Sequence, residues 1–134
     1  MIFTSYFGNQ FIKELNMPLV SVCIATDIHV SRKRFLALAP TLEMTLKMLD
    51  LDNQGKSADC TELYTSHVLA RLDPVATYHE LDGSVLLGWE EPSKFCHRHI
   101  IASWLEEASG MPVLELDEAA AAALGTLKAL RRIA

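Results

Sequence analysis

Asp82-Gly83-Ser84-Val85-Leu86-Leu87-Gly88-Trp89 opens on a turn pair and continues as an almost unbroken apolar run. A strand with one wet face alternates apolar and polar residues; this one does not, so both of its faces should be covered, as in a parallel sheet. The chain then passes through Glu90-Glu91-Pro92-Ser93 into a different period. Ile100, Ile101, Trp104, Leu105 and Ala108 recur at about 3.6 residues and predict a helix. Ser93 is expected to cap that helix, which should run to about Ala108 and end at Gly110. A buried strand followed directly by a helix is the repeating unit of an α/β domain.

The same signals recur outward from this unit. Ile2 to Phe7, Leu19 to Ala25 and Pro112 to Leu116 are further strand candidates, the first stopped by Gly8-Asn9. Gln10 to Leu15 offers one or two helical turns. Helices are predicted over Thr41 to Leu49 (apolar at Leu42, Leu46 and Leu49), over Ala58 to Leu72, and from Asp73-Pro74, a cap followed by proline at the first helical position. Asp117 should cap a last, Ala-rich helix over 117–134. Leu124, Leu127 and Leu130 or Ile133 are expected to pack inward, with the helix itself an appendage to one domain spanning 1–134. Arg131 and Arg132 suit its C-terminal dipole. The expected architecture is a small Rossmann-like layered α/β fold with a mainly parallel sheet of about four strands.

The 134 residues, half of them hydrophobic, are enough for one domain with its own core. A net charge of −5 disfavours extended nucleic-acid binding, which needs many cations against phosphate. Arg32-Lys33-Arg34 reads as a solvated basic face. Cys23, Cys60 and Cys96 are odd in number and widely spaced, so no disulfide framework is expected. No stretch is long and apolar enough to span a membrane, and the N-terminus lacks a signal-peptide pattern. A cytoplasmic protein with reduced thiols is the expectation.

Ligands of open parallel sheets sit outside the carboxyl ends of the strands. That rule selects Tyr6 to Asn9, Ala25 to His29 and Trp89 to Arg98. The third stretch holds the dense run Phe95-Cys96-His97-Arg98-His99. A helix N-terminus there would attract an anion, and a guanidinium adds a fork for carboxylate or phosphate. Spacing from Ile100 and Ile101 turns Cys96 and His97 toward the sheet and leaves His99 solvated. Arg98 is expected to be partly buried and to need a carboxylate, with Glu90 and Asp27 the candidates. The expected ligand-binding set is Tyr6, Asn9, Glu90, Cys96, His97 and Arg98, clustered at one edge of the sheet, and the expected ligand is small and phosphate-bearing or nucleotide-like. Two other readings stand beside it. One is a structural or interaction protein with a buried His97–Arg98–Glu90 network. The other is a hydrolase or transferase in which Glu90 or His97 moves protons, or Cys96 attacks. Cys96, His97 and His99 cannot converge on one ion from a regular helix, so no metal is expected. No motif identifies a cofactor. A homodimer is compatible with the small residues of Ala119 to Ala123, and Cys96 is expected to be a buried thiol that alkylates slowly.

Leu86-Leu87-Gly88-Trp89-Glu90, Phe95-Cys96-His97-Arg98-His99 and the continuing Ile100-Ile101-Ala102-Ser103-Trp104-Leu105 together resemble the signature of the family catalogued as domain of unknown function 488. Phe3-Thr4-Ser5-Tyr6-Phe7-Gly8-Asn9, Leu38-Ala39-Pro40 and the Tyr64…Val68-Leu69…Leu72 helix are similar to other parts of it, up to about Leu116. Two departures stand out: the family commonly has cysteine where Gly88 stands, and Thr26-Asp27-Ile28-His29-Val30 lacks the expected arginine and proline. The resemblance implies an α/β fold with a shared site and no assigned activity.

Overall fold

The computed structural model describes residues 1–133, with the side chains of the last two of these outside the description. The elements in chain order are β1 (Phe3–Tyr6), β2 (Leu19–Ser21), β3 (Lys33–Arg34), α1 (Leu42–Asn53), α2 (Ser57–His67), α3 (Pro74–Leu81), β4 (Val85–Gly88), α4 (His97–Ser109), β5 (Leu114–Glu115) and α5 (Glu118–Ile133). Short 3-10 turns lie at Ile12–Leu15, Leu36–Leu38 and Leu69–Arg71. The five strands form one sheet in the order β3-β2-β4-β1-β5, every pair parallel. The fold is Rossmann-like α/β, with one strand more than the apolar runs predict. That strand is β3, two exposed basic residues of the run expected to be a solvated face. It forms because Ser31 hydrogen-bonds Leu19 O and Phe35 N donates to Ser21 O at 2.9 Å, which draws the segment alongside β2.

Successive strand residues face opposite sides, and the core divides accordingly. Ile2, Val20, Val22 and Leu86 pack with Tyr64, Leu81, Ile101 and Leu105 under α1 to α4. Phe3, Val85, Leu87 and Leu116 pack with Ile12, Leu15 and Ala121 on the other side. The α5 helix, expected as an appendage, supplies the layer over this second face. Its inward residues include Ala121 and Leu124, whereas Leu127 and Leu130, expected inward, are 58% and 57% exposed. Ile133's side chain lies outside the described residues. The α1 leucines are likewise outward: Leu42, Leu46 and Leu49 face solvent, and Met44, Met48 and Leu51 meet the core.

Helix boundaries follow their chemistry. Asp73 caps α3 by accepting from Val75 N and Ala76 N, as expected from Asp73-Pro74. Asp117 accepts from Ala120 N at 2.7 Å and starts α5. Gly110 ends α4 in the left-handed region at φ 71°. The start of α4 departs from expectation. Ser93 lies in a turn, and the helix begins only at His97 with Cys96 as its N-cap. Among the described residues, no helix is long and apolar enough to cross a membrane.

Candidate functional site

The chain leaves β4 at Gly88 and turns through Trp89 to Phe95 before α4 starts. Trp89 fixes the turn: its ring lies 4.5 Å from that of Phe7, and its Nε1 donates to Ala25 O at 2.9 Å. Lys94 N donates to Glu91 O and closes the next step. This places Cys96, His97 and Arg98 at the carboxyl end of the sheet.

Arg98 is 0% exposed and belongs to the fold. Its Nε and Nη2 donate to Glu115 Oε1 and Oε2, each at 3.0 Å, in the two-pronged geometry that suits a guanidinium. Thr4 Oγ1 donates to the same carboxylate at 2.7 Å. The expected partners, Glu90 and Asp27, are not used. The reason is topological: β5 pairs with β1 so that Glu115 stands beside Thr4, on the face that α4 covers. Burial works against the guanidinium's charge, and the Glu115 hydrogen bonds and charge together with the neighbouring Cys96 outweigh it, holding its pKa above the usual value. Nη1 is left buried and without a hydrogen-bond partner among the described residues.

Space at Gly88 is exhausted. A Cβ at residue 88 would stand 2.7 Å from Cys96 Sγ and 3.0 Å from Arg98 Nη1. The thiol and the unpaired nitrogen therefore converge on the strand backbone. His99, expected in solvent, is half-buried, with Nδ1 3.9 Å from Glu115 Oε1. Burial and then the Arg98 charge lower its pKa, against an opposing pull from Glu115.

His97 and Cys96 face the sheet, as spacing from Ile100 and Ile101 predicts. His97 Nε2 is 2.6 Å from Val22 O, and since a carbonyl only accepts, that nitrogen carries the proton. The ring packs at 5.3 Å from Tyr64, whose hydroxyl donates to Leu38 O at 2.6 Å. The Cys96 thiol is pushed up to about 12, chiefly by burial; the Arg98 charge pulls it down and Glu90 pushes it further up. At neutral pH it is a protonated thiol, which is a poor nucleophile.

A cavity of about 260 Å³ opens beside these residues. Glu90, Lys94, Phe95, Cys96 and His97 form one wall. The opposite wall is α1, through Thr45, Met48, Leu49, Asp52 and Asn53. The two carboxylates outnumber the single ammonium. Three of the expected site residues, Glu90, Cys96 and His97, thus share one cavity, while Arg98 lies behind it in its ion pair.

Tyr6 and Asn9 are elsewhere. Asn9 is buried and saturated: Nδ2 donates to Ser5 Oγ and Leu116 O, each at 3.1 Å, and Oδ1 accepts from Phe11 N. Ser5 and Thr4 are neighbours on a strand and point to opposite faces, so Asn9 and Arg98 serve opposite sides of the sheet. Tyr6 borders a separate depression with Glu91, Asp117 and Glu118. Burial, then the charge of Glu118, raises its pKa, and among the described residues no cation lines the depression to meet an anion. Among the described residues, no group of three His, Cys, Asp or Glu is placed to hold a metal ion.

Sequence reading missed Glu115, Thr4 and the α1 wall. Glu115 had a signal, a lone charge inside the apolar run Val113-Leu114-Glu115-Leu116. Asp52 and Asn53 had none, since they lie on a helix far from the motif in sequence. Comparison of the chain with protein-family models, with curated proteins and with solved structures finds no match.

Proposed function

We propose that this protein binds a small nucleoside-like ligand in the cavity between α1 and the β4–α4 turn, acting as a binding module in the cytosol. The cavity carries the reading: it lies at the carboxyl end of β4 and joins an apolar slot to carboxylates. A flat ring fits between Met48, Leu49 and Phe95, and Glu90 and Asp52 accept from its amino or hydroxyl donors. Ligand pockets commonly enclose about 300–1,000 Å³, so a volume of about 260 Å³ favours one base or nucleoside over a dinucleotide. Among the described residues Lys94 is the only cation in the wall, so a phosphate would lie at the mouth beside it, with Arg98 engaged by Glu115. The resemblance to the family of domain of unknown function 488 favours the same location. Catalysis by a hydrolase or transferase is supported less, because the Cys96 thiol is protonated and His97 Nε2 is engaged.

Calorimetric titration with the four common nucleosides and their monophosphates tests the proposal. Saturable binding of at least one is expected. Asp52→Asn or Phe95→Ala should weaken it about tenfold or more, the scale of one lost charge-assisted hydrogen bond or ring contact. Lys94→Ala should weaken a monophosphate and spare its nucleoside. Binding of none, or binding indifferent to the cavity variants, would exclude the assignment.

A second reading is favoured by the complete burial of Arg98 on Glu115. In it the Cys-His-Arg motif is a structural clasp holding α4 to β1, β4 and β5. The two readings are compatible, since clasp and cavity use different side chains.

A further inference from the structure

We infer that this chain associates head to tail, the outer face of α5 of one copy seating on the outer face of α1 of the next. The α1 helix presents Leu42, Leu46 and Leu49 at intervals of four and three, the spacing of a two-helix seam. All three lie opposite the inward Met44, Met48 and Leu51, and Leu42 and Leu46 are 61% and 58% exposed. The α5 helix presents a matching stripe, Ala123, Leu127 and Leu130, opposite its inward Ala121 and Leu124. Laid antiparallel, Leu42 meets Leu130 and Leu46 meets Leu127, while Leu49, which also borders the cavity, lies at the edge of the seam over Ala123.

Charge decides which stripe pairs with which. The α1 stripe is flanked by exposed Glu43, Lys47 and Asp50, a net negative edge, and two such faces would set like net charge against like. The α5 stripe is flanked by exposed Arg131, which the antiparallel alignment brings beside Glu43 of the neighbouring copy. The two helices cover opposite faces of the sheet, so one molecule cannot satisfy itself. A contact between unlike faces leaves one face free at each end and builds short open chains or closes a ring.

Light scattering on the full chain across micromolar to submillimolar concentration reads the mass directly. The wild type is expected to grow beyond one chain as concentration rises. Leu46→Glu and Leu127→Glu should each remain at one chain, and both sites are exposed enough for the variants to fold. An equal mixture of the two should form a two-chain species, because each retains the face the other has lost. Glu43→Lys and Arg131→Glu repeat the test without touching apolar surface: each alone should weaken association, and their mixture should recover it. A wild type that stays a single chain throughout would overturn the inference and leave the stripes to a different partner. Growth that both variants abolish and the mixture does not restore would overturn it in favour of symmetric pairing.

Discussion

Arg98 satisfies Glu115 twice over while its third nitrogen has no partner, so the pair is asymmetric in what each side loses. Removing the guanidinium strands a carboxylate that is mostly covered. Arg98→Met should therefore destabilise by about 3 kcal/mol, near the lower end for a broken buried pair because Glu115 retains some solvent. The double change Arg98→Met with Glu115→Gln should recover a large part of that loss. A urea-denaturation cycle measures both, and strictly additive losses would count against the clasp. His99 gives this cluster a pH dependence. Its pKa is lowered in the folded state, so the unfolded chain takes up the proton first as pH falls. Stability should be unaffected by His99 above its ordinary value of about 6.5, then decline as pH drops through that value toward the folded pKa. His99→Gln should flatten the denaturation midpoint between about pH 7 and 5, a window chosen above most carboxylate titrations.

Elements were legible to the extent that one residue type repeats along them. Val85 to Leu87 are apolar on both faces and announce β4; Asp73 as a cap with Pro74 at the first helical position announces α3. The two residues of β3 are basic and exposed, so nothing but their neighbours' hydrogen bonds makes them a strand. Ser93 is a good cap by chemistry, yet Trp89 anchored to Ala25 holds the chain in a turn until Cys96. In α1 the leucine period marks a helix but not its buried face, because Met44 and Met48 fill the core instead. The β4–α4 contact yields a prediction of its own. Gly88→Ala drives a methyl into Cys96 Sγ at 2.7 Å and should cost about 1–3 kcal/mol by overpacking. Adding Cys96→Ala vacates that space and should restore most of the melting temperature. A double variant no more stable than Gly88→Ala alone would show that Arg98, not the thiol, sets the limit.

At the scale of the whole molecule, the two core clusters are separate and each needs its own cover. The second face, with Phe3, Val85 and Leu87, relies on α5 and the turn at Ile12–Leu15. Deleting 118–134 should consequently expose a sheet face rather than trim an ornament. The expected product retains helical circular dichroism, binds a hydrophobic dye and loses its sharp thermal transition. A truncated chain that melts as cooperatively as the whole would show that α5 is dispensable.

Strand β1 sits between β4 and β5, with Phe3 beside both Val85 and Leu114. On the ribosome that order has a cost in time. At roughly 5–20 residues per second, β1 waits on the order of ten seconds for β4 to be synthesised and longer for β5. During that interval Ile2, Phe3 and Phe7 have no sheet to enter, and the nascent chain carries an unpaired apolar strand. Fast translation, or a chaperone that shelters the N-terminal segment, should raise the yield of native protein, whereas pauses before Val85 should lower it.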